Sequence, residues 1–290
     1  MTIFFRVDAG EQYGLGHVMR CRTLAETLHA QAPDVPLVFV TTTTTLGEIV
    51  GTEGLPWRVA CFPDEWTAFE EVRSGVNYGD VFVFDEPAGM EWVDQLWRPK
   101  LQGIIPLVRI DAPWAEPGSC DLLILPGMHH GAETLERLDA GFGERLLVDA
   151  EYVMVRADLM ENRRGWYEHN AGIAFNAGGS DPERALQQLY VMTRALHSRF
   201  DDGPPFFYLA GPLSMAWKLD TPTWKDFVTG FSHMTVAQAG LFVSLWGTTV
   251  YEALALGTPT LTIARTEAEA EDAARLEAAT EGAVQSLGTL

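Results

Sequence analysis

The chain has 290 residues, of which 47% are apolar and 21% charged, a globular composition long enough for two domains that each bury a core. Acidic residues outnumber basic ones 40 to 20, and the formal net charge of −20 argues against a nucleic-acid partner, because duplex binding neutralises phosphates with Lys and Arg. No apolar run is long enough to span a bilayer, and Met1-Thr-Ile-Phe-Phe leads straight into Arg6 and Asp8 without a basic segment ahead of it, so the expected location is the cytoplasm.

Ile3 to Val7 reads as a short strand. His17 to Ala30 places Val18, Cys21, Leu24, Ala25 and Leu28 at helical spacing. Gly14 and Gly16 therefore fall in a strand-to-helix turn, where a backbone can approach a ligand closely and free N–H groups favour an anion. His17 opens the helix, in position to take a proton from water. Met19 stands where a dinucleotide fingerprint carries its third glycine, and no Lys-Ser/Thr pair makes a P-loop. Taken alone, Gly-x-Gly-His fits a tight turn with a capping histidine equally well.

Pro36 to Val40 is the second predicted strand, and Thr41 to Thr45 a strand end or polar loop with no assigned chemistry. Trp57 to Cys61 is a third strand, Trp66 to Val72 a helical segment, and Asp80 to Asp85 a buried strand with a carboxylate at its C-terminal end. Open α/β sheets bind ligands at that end, so Asp85 is a candidate for orienting His17 or binding a sugar hydroxyl, with a plain turn carboxylate as the alternative. Ile104 to Ile110 repeats the pattern and ends in Asp111, and Cys120 to Leu125 is the next strand. His129-His130 has no carboxylate or cysteine at zinc-ligand spacing and reads as a loop element near the crevice. Cys21, Cys61 and Cys120 lack metal or redox spacing and are expected to be buried free thiols. Strands alternating with helical stretches indicate parallel βαβ units, and the polar run before Gly172 places a domain boundary between residues 162 and 163.

The second half opens with a strand from Gly172 to Phe175 and then Asn176-Ala-Gly178-Gly179-Ser180-Asp181-Pro182 ahead of a helix over 183–200, a second anion-binding turn in which Ser180 or Asp181 caps. Phe206 to Leu209 is a strand, and Phe227 to Phe231 leads into a helix over Met234 to Gly240. The third turn is Trp246-Gly247-Thr248-Thr249, where a helix begins that Gly257 stops. Glu252, one turn in, can accept two hydrogen bonds from a ribose diol, or simply suit the helix dipole. Thr260 to Ile263 is a strand, and Thr266 to Ala283 reads as an acidic, alanine-rich helix packing across the domains.

Arg6-x-Asp8 with Gly14-x-Gly16-His17-x-x-Arg20, Phe84-Asp85, Cys120-Asp121, Tyr152 with Arg156, Gly178-Gly179-Ser180-Asp181-Pro182, and Gly247-Thr248-Thr249-x-x-Glu252 with Leu256-Gly257-x-Pro259 occur in one order along most of the chain. This pattern resembles the UDP-sugar hydrolases of the pseudaminic acid pathway and the related spore-coat polysaccharide proteins. The resemblance implies an α/β fold of two Rossmann-like domains with mostly parallel sheets facing across a cleft, as in GT-B glycosyltransferases. It implies a cytoplasmic hydrolase that releases UDP, or another nucleoside diphosphate, from C1 of an amino-deoxy sugar in surface polysaccharide or nonulosonic acid biosynthesis, with no cofactor and no metal. By the same resemblance His17 is the base that activates water, with Asp8 and Asp85 in the catalytic group, and Gly14, Gly16 and Arg20 face the substrate. Gly178, Gly179, Ser180, Asp181, Gly247, Thr248 and Thr249 would hold the diphosphate and Glu252 the ribose. Leu245-Trp246 in place of a glycine pair, Ala264-Arg265 in place of Asn-Gln, and Asp111-Ala112 in place of Asp-Asp depart from the family pattern. Two alternatives stay open: a GT-B glycosyltransferase using a nucleotide-sugar donor, and a non-catalytic nucleotide-sugar-binding protein.

Overall fold

The structure is a computed structural model, and its described residues are 1–10, 14–51, 55–86, 92–156, 159, 163, 172–181, 184–197, 203–211 and 226–289. The chain forms two compact units, one of residues 1–9 and 17–154, the other of residues 10–16 and 155–290. The boundary expected at 162/163 adjoins residues outside those described.

The first unit holds a seven-stranded sheet in the order β3-β2-β1-β4-β5-β6-β7. Its strands are β1 (Ile3–Val7), β2 (Leu37–Thr41), β3 (Trp57–Cys61), β4 (Val81–Asp85), β5 (Leu107–Ile110), β6 (Leu122–Pro126) and β7 (Leu146–Asp149), and all neighbours pair in parallel. Helices α1 (Gly16–Gln31), α2 (Leu46–Val50), α3 (Glu65–Arg73), α4 (Arg98–Leu101) and α5 (Ala132–Phe142) lie between them. Strands β1 and β2 are buried along their whole length, as a sheet covered on both faces requires. On one face Phe4 stacks on Phe82 at 4.7 Å, and Trp97 meets Phe69, Phe82 and Phe84. Trp97 is delivered by a π-helical turn, Val93–Trp97, that runs into α4; Pro99 has no N–H for an ordinary i−4 bond there.

The second unit repeats the plan with the order β10-β9-β8-β11-β12-β13, again all parallel. Its strands are β8 (Ile173–Asn176), β9 (Phe206–Ala210), β10 (Asp226–Gly230), β11 (Leu241–Leu245), β12 (Thr260–Ala264) and β13 (Val284–Thr289), with α6 (Ala185–His197), α7 (His233–Gln238), α8 (Thr248–Leu256) and α9 (Glu267–Ala279).

Several expectations change. The helix expected over 183–200 runs from Ala185 to His197, after Arg184 in a left-handed conformation; residues 182, 183 and 198–200 lie outside the described set. The C-terminal helix stops at Ala279, because Glu281 and Gly282 both have positive φ, and the chain returns as β13 against β12. The amphipathic helix α5 and the edge strand β7 have no counterpart among the elements expected from the sequence pattern. Cys21 and Cys120 are buried free thiols as expected, but Cys61 is exposed, since β3 is the edge strand of its sheet.

Candidate functional site

In a doubly wound sheet the chain leaves neighbouring central strands in opposite directions, and the gap at their C-terminal ends admits side chains and ligands. In the first unit that gap lies between β1 and β4. The residue after the glycine turn that follows β1 is His17, the second residue of α1, and the last residue of β4 is Asp85. Their side chains meet, with His17 Nδ1 2.5 Å from Asp85 Oδ1. Asp85 is wholly buried and His17 partly so. The guanidinium of Arg20, one helical turn after His17, binds Asp85 side-on, Nε donating to Oδ2 at 3.0 Å and a terminal nitrogen to Oδ1 at 2.8 Å. Its other terminal nitrogen donates to Asp111.

Arg20 also lies 3.1 Å from His17 Nδ1. That nitrogen cannot both donate to Asp85 and accept from Arg20; the shorter contact to a carboxylate makes it the donor. The proton then sits on Nδ1, and Nε2 carries the lone pair that can accept a proton. Arg20 itself is buried, and three of its N–H groups donate to Asp85 and Asp111. Burial would depress its guanidinium, but the two carboxylates hold it firmly protonated.

Asp8 is placed differently. Its carboxylate accepts from Arg6 at 2.6 Å, from the Thr41 hydroxyl and the Thr42 N–H at 2.7 Å each, and from the Thr42 hydroxyl at 3.2 Å. Burial alone would raise the Asp8 carboxyl, and these donors pull it below its ordinary value. The threonine run thus has a function that its composition did not reveal: Thr41–Thr43 tether the end of β1 to the end of β2. Arg6 completes the anchor, pairing with Glu65 and lying over the Trp92 ring at 4.4 Å.

In the second unit the corresponding gap lies between β8 and β11. The turn after β8 holds Gly178 at φ 88°, its N–H bonded to the Asn176 side chain at 2.8 Å. Asp181 caps α6, accepting the N–H of Ala185 at 2.6 Å and of Leu186 at 3.2 Å, so those two helix donors already have an anion. After β11, by contrast, α8 begins at Thr248 behind Gly247 with no side-chain cap. Trp246 packs edge-on against Tyr251 at 6.3 Å. Glu252 stands 3.4 Å from His233 Nε2, whose Nδ1 faces Arg156 at 2.9 Å. Leu15 and Gly16, which belong to this unit, lie against the two turns: a Cβ on Gly179 would come within 2.8 Å of Leu15, and one on Gly16 within 3.3 Å of the Thr248 hydroxyl.

The structure therefore brings together His17, Asp85 and Arg20 in one unit, and Gly14, Gly16, Gly179, Ser180 and Thr248 in the other. It does not join Asp8 to His17 by any hydrogen bond among the described residues. Sequence reasoning missed a third feature. Asp111, which follows β5, reaches His129 and His130, which follow β6, with one donor atom from each within 4.8 Å of the others.

No family model and no curated protein matches the chain. Solved structures do. The glycotransferase of kitacinnamycin superposes with a TM-score of 0.65 at 13% identity, covering 99% of this chain and 86% of its own. The fold is GT-B. The calicheamicin glycosyltransferase CalG4 gives 0.62 at 15% identity, covering 99% and 86%, and the S. aureus MnaA–UDP co-structure gives 0.62 at 12%, covering 99% and 84%. The neighbours thus divide between glycosyltransferases and UDP-GlcNAc 2-epimerases such as that of Methanocaldococcus jannaschii, solved with UDP-GlcNAc and UDP at a TM-score of 0.58 and 11% identity, covering 99% and 89%. Among the described residues no helix is long and apolar enough to cross a membrane.

Proposed function

We propose that this GT-B chain is a nucleotide-sugar hydrolase in which the second unit holds the nucleoside diphosphate and the His17–Asp85 pair of the first unit activates water. The observation that carries this reading is the 2.5 Å contact between His17 Nδ1 and Asp85 Oδ1 at the switch point of the sheet. Asp85 fixes the tautomer, and Nε2 takes the proton as the water oxygen bonds to C1 and the bond from C1 to the diphosphate oxygen breaks. The diphosphate leaves as a stable anion, met by the uncapped N-terminus of α8 at Thr248 and Thr249, so no second carboxylate is needed to protonate it. Glu252 accepts from the ribose, and the Gly178–Asp181 turn borders the phosphates. The neighbours solved with UDP, and the family resemblance of the motifs, support a UDP-linked amino-deoxy sugar handled in the cytoplasm.

A second reading, transfer of the sugar to a hydroxyl acceptor, is favoured by the glycosyltransferase neighbours. The same base would then deprotonate the acceptor instead of water. Release of UDP or another nucleoside diphosphate from a panel of activated amino sugars decides between them. Release in buffer alone supports hydrolysis, release only with an added acceptor supports transfer, and binding without His17-dependent release rejects both.

A further inference from the structure

The switch-point pair is not the whole of what the first unit assembles at the C-terminal edge of its sheet. Asp111 follows β5, His129 and His130 follow the adjacent β6, and the three present a carboxylate oxygen and two imidazole nitrogens within 4.8 Å of one another. We propose that Asp111, His129 and His130 form a binding site for one divalent transition-metal ion of the zinc type, with its remaining coordination positions open to water or an oxygen ligand.

Consecutive residues ordinarily send their side chains apart, yet the two imidazoles lie together, with ring centroids 4.1 Å apart and planes tilted by 39°. All three residues are partly buried, shielded from bulk water but not closed to it. The backbone holds them in place: the Asp111 N–H donates to the Ile124 carbonyl of β6 at 2.8 Å, and the N–H of Gly127, just ahead of the histidines, donates to the Asp149 carbonyl at 3.2 Å. The charge is favourable as well. Arg20 is shared between Asp85 and Asp111, so two carboxylates face one guanidinium and leave net negative charge for a cation.

The donor set selects the class of ion. Two imidazoles and a carboxylate with open positions suit Zn²⁺, Co²⁺ or Fe²⁺ better than Mg²⁺ or Ca²⁺, which take oxygen ligands. Ligand bonds of about 2.0–2.2 Å bring donors to roughly 3–3.5 Å apart, so binding closes separations of up to 4.8 Å by at most about 1.3–1.8 Å, within reach of side-chain rotation. None of this geometry depends on the hydrolase reading.

The test uses the full chain, stripped with a chelator and titrated with Zn²⁺ by calorimetry, with metal content measured after gel filtration and the absorption spectrum recorded after Co²⁺ substitution. The expected result is one equivalent of metal and a four- or five-coordinate Co²⁺ spectrum. His129→Asn and His130→Asn should each weaken binding at least tenfold, while His29→Asn, in the last turn of α1, leaves it unchanged. Substoichiometric uptake, a six-coordinate aquo-type Co²⁺ spectrum in the native protein, or equal uptake by the His129→Asn/His130→Asn double variant would overturn the proposal. The Co²⁺ spectrum of the unaltered chain keeps the question decidable if a variant does not fold.

Discussion

Glu86, the residue after Asp85, offers a quantitative test of the electrostatics that surround the first unit's switch point. It is 1% exposed and bonded to Arg109, whose other terminal nitrogen pairs with Asp94 at 3.0 Å. Its second carboxylate oxygen has no hydrogen-bond partner among the described residues. Burial pushes the carboxyl up, Arg109 only partly offsets it, and Asp94 and Asp85 push the same way as burial, from 4.5 to about 7. The folded chain therefore holds a proton that the unfolded chain has lost, and stability falls as pH rises from 4.5 through about 7. At roughly 1.4 kcal/mol per unit the whole effect is about 3 kcal/mol, of which about 2 kcal/mol falls between pH 5.5 and 8. That narrower window keeps clear of the isoelectric point near 4.6, where a chain of balanced charge precipitates. Glu86→Gln keeps the shape and an acceptor for Arg109 but cannot ionise. Replacing the protonated carboxyl by an amide beside the Arg109 guanidinium carries its own cost, and that cost does not vary with pH in this window. The readout is the difference between the two proteins' unfolding free energies in urea at pH 5.5 and at pH 8. It should move by about 2 kcal/mol in favour of Glu86→Gln at the higher pH. Parallel pH curves for the two proteins would show that Glu86 ionises normally in the fold and overturn this account of its burial.

His17→Ala should lower kcat for nucleoside diphosphate release about 10²–10⁴-fold with little change in nucleotide affinity by calorimetry; a loss under tenfold removes the histidine from the base role. Asp85→Asn should lower kcat and change the pH–rate profile, since an amide cannot hold the Nδ1 proton as a carboxylate does; an unchanged profile assigns Asp85 to folding alone. A Cβ at 211 would meet the Gly178 carbonyl oxygen at 2.3 Å, whereas one at 179 meets Leu15 at 2.8 Å, so Gly211→Ala should destabilise more than Gly179→Ala in thermal unfolding. Overpacking of about 1–3 kcal/mol is expected at 179, and the reverse order would contradict the close backbone packing of that turn. Asp181→Ala strips the N-terminal cap of α6 and should cost about 0.5–2 kcal/mol, read as a lowered unfolding midpoint; no change would mean the cap is dispensable.

What the linear sequence revealed was whatever is encoded within a few residues. The strand ends at Val7 and Asp85, the glycine turn before His17 and the start of α8 at Thr248 are all set by local pattern, and all stand where periodicity and turn chemistry put them. The features that stayed hidden depend on strand order. Asp8 finds Thr41 and Thr42 only because β1 and β2 pair in parallel and end level with one another. His129 and His130 show no carboxylate at metal-ligand spacing along the chain; Asp111 joins them because β5 and β6 are neighbours in the sheet. Burial at the edges is equally nonlocal. β3 and β13 show mixed exposure because, among the described residues, no strand pairs with their outer sides, which is why Cys61 faces water and why the segment after α9 lacks a plain strand pattern.

The two glycine turns of the second unit looked equivalent as sequence, each a strand end, a flexible turn and a helix start. The structure separates them on chemical grounds. At α6 the Asp181 carboxylate already occupies the first helix donors, and a phosphate there would meet a fixed negative charge. At α8 Gly247 supplies no side chain, so the N–H groups of Thr248 and Thr249 and the positive end of the dipole have no competing anion from a cap. If the proposed diphosphate sits on this unit, its charge belongs at α8, and the Gly178–Asp181 turn takes the neighbouring, less charged part of the ligand. Gly179 and Gly211 then serve close packing rather than phosphate binding, the former against Leu15 and the latter against the backbone of 178–179.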